Sequence, residues 1–290
     1  MTSPAHIVEI QPSLEPSVRA YAASAIGRGI AADEFAAALH PPWNHGQKPS
    51  GYALLAGDQV VGLILTISAR RTIRGRARNV CNFSSWAVDA QYRSYGIPLL
   101  VRALKEPETI YTNFTASAAV AKVLQTLKFQ SISDRERILL PGSQILQRSA
   151  FSATADIDRI EQQLRERGAD DIAGLVADHR NTRAVWIGAT DGARQIAVAF
   201  HLMRVGRLRF AHFLYCSNDE ALPAALGAIA RAVRRAFGWH LIAWSDYQIR
   251  GGGPSIVVHR PRPILYRGVD VGPADLDGLY SELTLLPVLR

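Results

Sequence analysis

Val88-Asp89-Ala90-Gln91-Tyr92-Arg93-Ser94-Tyr95-Gly96-Ile97-Pro98-Leu99-Leu100 joins two kinds of sequence. Residues 79–88 before it read as a strand. Residues 98–104 read as a helix, with Pro98 near the first turn, where its missing N–H costs little. Further upstream, residues 52–56, a Gly57-Asp58 turn and residues 59–67 form an apolar hairpin. Ahead of that hairpin, residues 16–39 are Ala-rich and helix-compatible, and they end in the turn-rich stretch 40–51. Downstream, residues 109–115 are a short strand. Ser117 then caps a helix over 118–127, in which Val120, Val123, Leu124 and Leu127 recur at helical spacing.

The second half of the chain repeats this outline. Helical sequence covers 156–167 and 171–178. Strands follow at 183–189, 195–205 and 207–215, then an amphipathic helix at 222–237 ending at Gly238, then a strand at 240–244. One local match anchors the repeat. Gly75-Arg76-Ala77-Arg78 precedes Asn82-Phe83-Ser84-Ser85-Trp86, and Gly206-Arg207-Leu208-Arg209 precedes His212-Phe213-Leu214-Tyr215-Cys216. The pattern predicts two copies of one fold: residues 1–140, a linker at 141–155 that holds Pro141-Gly142-Ser143, and residues 156–290.

Residues 88–100 resemble the coenzyme A signature of the GNAT acyltransferase superfamily, which is a strand, Arg-x-x-Gly-x-Gly/Ala and a helix. Here Arg93-Ser94-Tyr95-Gly96-Ile97-Pro98 fills that pattern. Leu127-Lys128-Phe129 stands where the family commonly has Leu-Gly-Phe. The resemblance runs over residues 50–135 and implies an α/β fold, a mixed sheet with flanking helices, built as two GNAT-like domains in tandem. The second has no phosphate motif; after its strand it reads Asn218-Asp219-Glu220-Ala221-Leu222-Pro223.

The implied activity is transfer of an acyl group, most simply acetyl, from acetyl-CoA or another acyl-CoA to an amine of a small molecule or sugar. N–H groups at a helix N-terminus favour a pyrophosphate. Gly96 lets the backbone approach the phosphates, and Arg93 adds a fixed positive charge. The implied cofactor-binding set is Trp86, Ala87 and Val88, through their backbone, with Arg93, Ser94, Tyr95, Gly96, Ile97 and Pro98. An N–H near Trp86 or Ala87 is the expected oxyanion donor.

The sequence also departs from the family. Pro98 stands where a small residue is usual and removes an amide donor. The family's frequent Tyr acid falls on Leu124, and its frequent helix-start Asn falls on Ser117. Residues 79–87 hold no Asp or Glu. The catalytic candidates are therefore His212 and Asp246, either of which could deprotonate an amine, together with Asn113 on the short strand. Cys81 and Cys216 read as small buried hydrophobes. Two cysteines build no four-ligand metal site.

The 290 residues are 48% hydrophobic and 20% charged, which excludes disorder as the main state. Lys+Arg total 33 against Asp+Glu 25, a net charge of +8 that favours anionic partners. The N-terminal sequence lacks a targeting pattern, and no apolar run is long enough for a membrane span. A reducing, cytoplasmic setting fits, and a homodimer contact is a further role for the second half. Two other readings stay open. One is an acyl-CoA-binding scaffold without turnover. The other is a basic nucleic-acid module using Arg74, Arg76 and Arg78, although few aromatics interleave with these for base stacking.

Overall fold

The computed structural model describes residues 4–26, 29–44, 48–132, 135–139, 149–247, 255–259 and 263–287. The first half runs β1 (Ala5–Glu9), α1 (Glu15–Ile26), α2 (Ala36–Leu39), β2 (Gly51–Ala56), β3 (Gln59–Ile73), β4 (Arg76–Val88), α3 (Gly96–Ala103), β5 (Ile110–Asn113), α4 (Ala118–Thr126) and β6 (Gln130–Ser131). The chain continues through β7 (Arg135–Leu139), β8 (Ser152–Thr154), α5 (Ile157–Glu166), α6 (Asp170–Asp178), β9 (Ala184–Thr190), β10 (Gln195–Val205), β11 (Leu208–Cys216), α7 (Leu222–Phe237), β12 (Leu241–Ser245), β13 (Ser255–His259), β14 (Leu265–Arg267) and α8 (Glu282–Leu285).

The chain is mixed α/β with two seven-stranded sheets, ordered β1-β2-β3-β4-β5-β14-β6 and β8-β9-β10-β11-β12-β7-β13. In each, the first four strands are antiparallel, the fourth and fifth are parallel, and the fifth and sixth are antiparallel. Gly75 and Gly206, the residues that anchored the sequence repeat, sit in the turns before β4 and β11 with φ +72° and +58°. Two sheets of one order fit two tandem domains.

In both sheets the sixth place belongs to a strand from the other half of the chain. β7 follows β6 in sequence yet pairs with β12 and β13, while β14 pairs with β5. By packing, the first unit is Met1–Gln130 with Leu265–Val271 and Tyr280–Pro287. The second is Ser131–Ile264 with Gly272–Leu279. The stretch 141–155, read from sequence as a linker, ends just past β8. Its residues 141–148 lie outside the described residues.

The strands form where apolar runs can be covered. Val60 to Ile67 are buried along β3, and Gly51 sets the start of β2 beside it. Gly51 has φ +140°, and a Cβ there would lie 2.1 Å from the Ile64 carbonyl oxygen, so no other residue fits. The first core joins Ile64, Phe83, Leu99, Leu100, Tyr111, Leu124, Phe129 and Leu265. The second joins Phe200, Phe213 and Trp244, with centroids 4.4 and 6.3 Å apart, to the apolar face of α7. Arg234 and Arg235 lie exposed on α7, as an amphipathic helix requires.

Candidate functional site

The first unit's sheet opens along β4. Ile64 pairs with Trp86 and Thr66 with Phe83, so Leu65 alone faces both Ser84 and Ser85. This is a β-bulge, which bends a strand and re-aims its amides. On its other side β4 pairs with β5 only at Val80–Ile110, Cys81–Tyr111 and Asn82–Thr112. From Phe83 to Val88 it has no partner there, and the two strands part. Trp86, Ala87 and Val88, three of the expected binding residues, lie along this open edge.

Asn113 spans the point of parting. Its Nδ2 donates to the Phe83 carbonyl at 3.0 Å, and its Oδ1 accepts from the Thr115 N–H at 3.2 Å. Both ends of the amide are engaged, so Asn113, a catalytic candidate by sequence, braces β4 against the loop after β5.

Beyond Val88 the backbone turns at Asp89, whose carboxylate accepts the Tyr21 hydroxyl at 2.8 Å. Burial, with Asp89 adding to it, raises the Tyr21 hydroxyl well above its ordinary range. Ala90–Tyr95 is a 3-10 helix leading directly into α3. The Tyr92 N–H donates to the Asp89 carbonyl at 2.9 Å, and the Gly96 N–H donates to the Arg93 carbonyl. Pro98 has no N–H, so the segment offers fewer free amides than the resemblance implies. Arg93, Ser94, Ile97 and Pro98 are exposed, Tyr95 is half-buried, and Gly96 is buried beside Trp86. Gly96 has φ −58°, and a Cβ would meet Trp86 Cζ2 at 3.5 Å, an ordinary contact. The backbone does not demand glycine there.

A buried polar cluster adjoins the opening. Glu282, 3% exposed, accepts from Asn82 Nδ2 and, at 2.5 Å, from the Thr115 hydroxyl. Asn82 Oδ1 accepts from the Thr112 hydroxyl at 3.2 Å. Glu282 was not found by sequence reasoning. Its signal is one carboxylate within the otherwise apolar and hydroxylic run Leu279-Tyr280-Ser281-Glu282-Leu283-Thr284-Leu285-Leu286.

His212 and Asp246 belong to the second unit. His212, on β11, is buried, faces His201 across the ladder and lies 3.4 Å from Glu136 through Nε2. Asp246 accepts from Arg137 Nε at 2.5 Å. Both partners lie on β7, in the same unit. Burial pushes the Cys81 and Cys216 thiols up to about 12, which leaves them un-nucleophilic at neutral pH. Leu124 is 1% exposed in the core, and Ser117 caps α4 through the Val120 N–H. In the basic hairpin, Arg78 donates to the Val269 carbonyl at 2.7 Å and Arg74 to that of Asp270 at 3.5 Å. Two of the three arginines read as a nucleic-acid face thus grip the unit's own chain. Gly251-Gly252-Gly253-Pro254 lies outside the described residues.

No family model matches this sequence, and no curated protein matches it. Solved structures do. A GCN5-related N-acetyltransferase from Anabaena variabilis superposes with TM-score 0.59 at 10% identity, covering 93% of this chain and 74% of the other. One from Kribbella flavida gives 0.56 at 14% identity, covering 93% and 72%. A conserved protein of unknown function from Enterococcus faecalis gives 0.57 at 8% identity, covering 93% and 74%. The chain has the GNAT superfamily fold over most of its length. Among the described residues no helix is long and apolar enough to cross a membrane.

Proposed function

We propose that the protein is an acyl-CoA-dependent acyltransferase whose donor lies along the open edge of β4. The bulge at Ser84–Ser85, with the loss of pairing after Asn82, carries this reading. An extended pantetheine arm needs a strand edge with free backbone groups, and Ser84 to Val88 supply one. The start of α3, with Gly96 bare and Arg93 exposed beside it, suits the pyrophosphate, with fewer amides than usual. An amide re-aimed by the bulge, near Trp86 or Ala87, is the oxyanion donor; one such donor is worth about 10²–10³ in rate. Acetyl is the simplest acyl group and an amine of a small molecule or sugar the simplest acceptor, in keeping with the N-acetyltransferase names of the structural neighbours.

Thermal unfolding with acetyl-CoA, malonyl-CoA and plain CoA tests this. A ligand at a hundredfold excess over its Kd stabilises by about 2.7 kcal/mol. No shift with any of the three at millimolar concentration removes the reading. Burial of Leu124, where the family's acid would sit, favours a second reading: acyl-CoA binding without turnover. A panel of amines separates the two, since a scaffold binds the donor and transfers to none.

A further inference from the structure

The buried cluster at the parting of β4 and β5 lies outside the proposed donor-binding set. We infer that Glu282 takes the proton from the acceptor amine, through the hydroxyl of Thr115. The inference rests on the acyl-transfer reading and deepens it.

Five observations carry it. Two donors, Asn82 Nδ2 and the Thr115 hydroxyl, point at the two oxygens of Glu282, an arrangement that suits an ionised carboxylate. Asn82 is the last β4 residue with a β5 partner, and Thr115 lies two residues past the end of β5, so the carboxylate sits where the strands separate. Asn82, Thr112 and Asn113 are buried, whereas Thr115 is only partly so. Its backbone N–H is fixed by Asn113, which also holds the Phe83 carbonyl, so the hydroxyl is positioned relative to β4. Because Thr115 donates its proton to Glu282, its oxygen lone pairs are left to accept from an incoming N–H. β4 itself holds no Asp or Glu from Arg76 to Val88, so a base must come from another segment.

The step balances. The neutral amine attacks the thioester carbonyl carbon, forming the C–N bond and leaving positive charge on nitrogen and negative charge on oxygen. The nitrogen proton passes to Thr115 Oγ1 as the Thr115 proton passes to Glu282. The C–S bond then breaks and CoA leaves as a thiolate. The proton held on Glu282 returns through the same hydroxyl to the sulfur, and the carboxylate is restored.

The test compares wild type, Glu282→Gln, Thr115→Ser and Thr115→Val for turnover across pH, unfolding temperature and acetyl-CoA binding. Glu282→Gln keeps the shape and still accepts from Asn82. It is expected to bind acetyl-CoA as wild type does, to lose about 100-fold or more in kcat, and to lack the acid limb of the wild-type kcat profile. Thr115→Ser should keep turnover, and Thr115→Val should lose it with binding intact. Should Glu282→Gln fail to fold, the serine–valine contrast decides alone. Turnover in Glu282→Gln within about threefold of wild type, or equal turnover in Thr115→Ser and Thr115→Val, overturns the relay while leaving acyl transfer standing. Absence of turnover in wild type with every amine overturns transfer and relay together, and it shows before any variant is compared.

Discussion

Substitution of Gly96 separates folding from ligand binding. The residue opens α3 with helical φ, and a Cβ there meets Trp86 Cζ2 at 3.5 Å. Alanine is therefore tolerated and, within a helix, is favoured over glycine by up to about 1 kcal/mol. Aspartate at a helix start gains about 0.3–1 kcal/mol from the dipole. Neither Gly96→Ala nor Gly96→Asp should lower the unfolding temperature. A pyrophosphate at this turn would feel the new carboxylate at roughly 6 Å. At an effective dielectric between about 80 and 20, each unit of phosphate charge then costs about 0.7–2.8 kcal/mol. That is a loss of roughly 3- to 100-fold in affinity per charge. Titration calorimetry with acetyl-CoA at low salt and again near 1 M salt reads it, because screening shortens the reach of the repulsion. The expected signature is a stable Gly96→Asp protein that binds weakly at low salt and recovers at high salt. Wild-type affinity in Gly96→Asp at low salt would place the pyrophosphate away from α3 and refute the assignment.

Three further outcomes follow from the geometry. Asn113→Ala strips partners from the Phe83 carbonyl and the Thr115 N–H, and the buried carbonyl alone costs about 1–3 kcal/mol; the urea midpoint should drop, and an unchanged midpoint would discard the brace. Deleting residues 156–290 removes β14 with fully buried Leu265, worth about 1.5–3 kcal/mol alone, and bares the edge of β5; size-exclusion chromatography should show aggregates, and a cooperative soluble monomer would contradict this. Cys81 is held neutral by burial, its pKa raised from 9.0 to about 12. The unfolded thiol ionises first, so this contribution is intact below about pH 9 and is lost as pH rises towards 12; a thiol reagent at pH 8 should label native Cys81 slowly, and rapid labelling without unfolding would contradict its burial.

Local signals in the sequence were strong where neighbours in the chain are neighbours in space. The bounds of β10 and α7 match the periodic runs 195–205 and 222–237, and Ser117 caps α4 as its position suggested. The stretch around Gly96 gave the fold, because a strand, turn and helix in succession are written contiguously. What was hidden is what the topology assembles from afar. β7 is Arg-Glu-Arg-Ile-Leu next to a Pro-Gly signal, and nothing local shows that it pairs with β12. β14 is three residues long, with its partner about 150 residues earlier. Glu282 reaches Asn82 only because the C-terminal segment returns to the first unit. Conversely, Asp246 and Arg74 looked available in sequence, since their partners Arg137 and Asp270 lie about 110 and 200 residues away.

The traded strands also set a timetable for the nascent chain. Asn113 leaves the ribosome long before Leu265, the residue it pairs with. At roughly 5–20 residues per second, β5 waits about 8–30 s for its neighbour. Throughout that interval the nascent first sheet ends in unmatched backbone groups beside apolar side chains. Slow-translating stretches between residues 113 and 265 would lengthen the exposure. Codon choice there should affect the yield of native protein more than it does after residue 267.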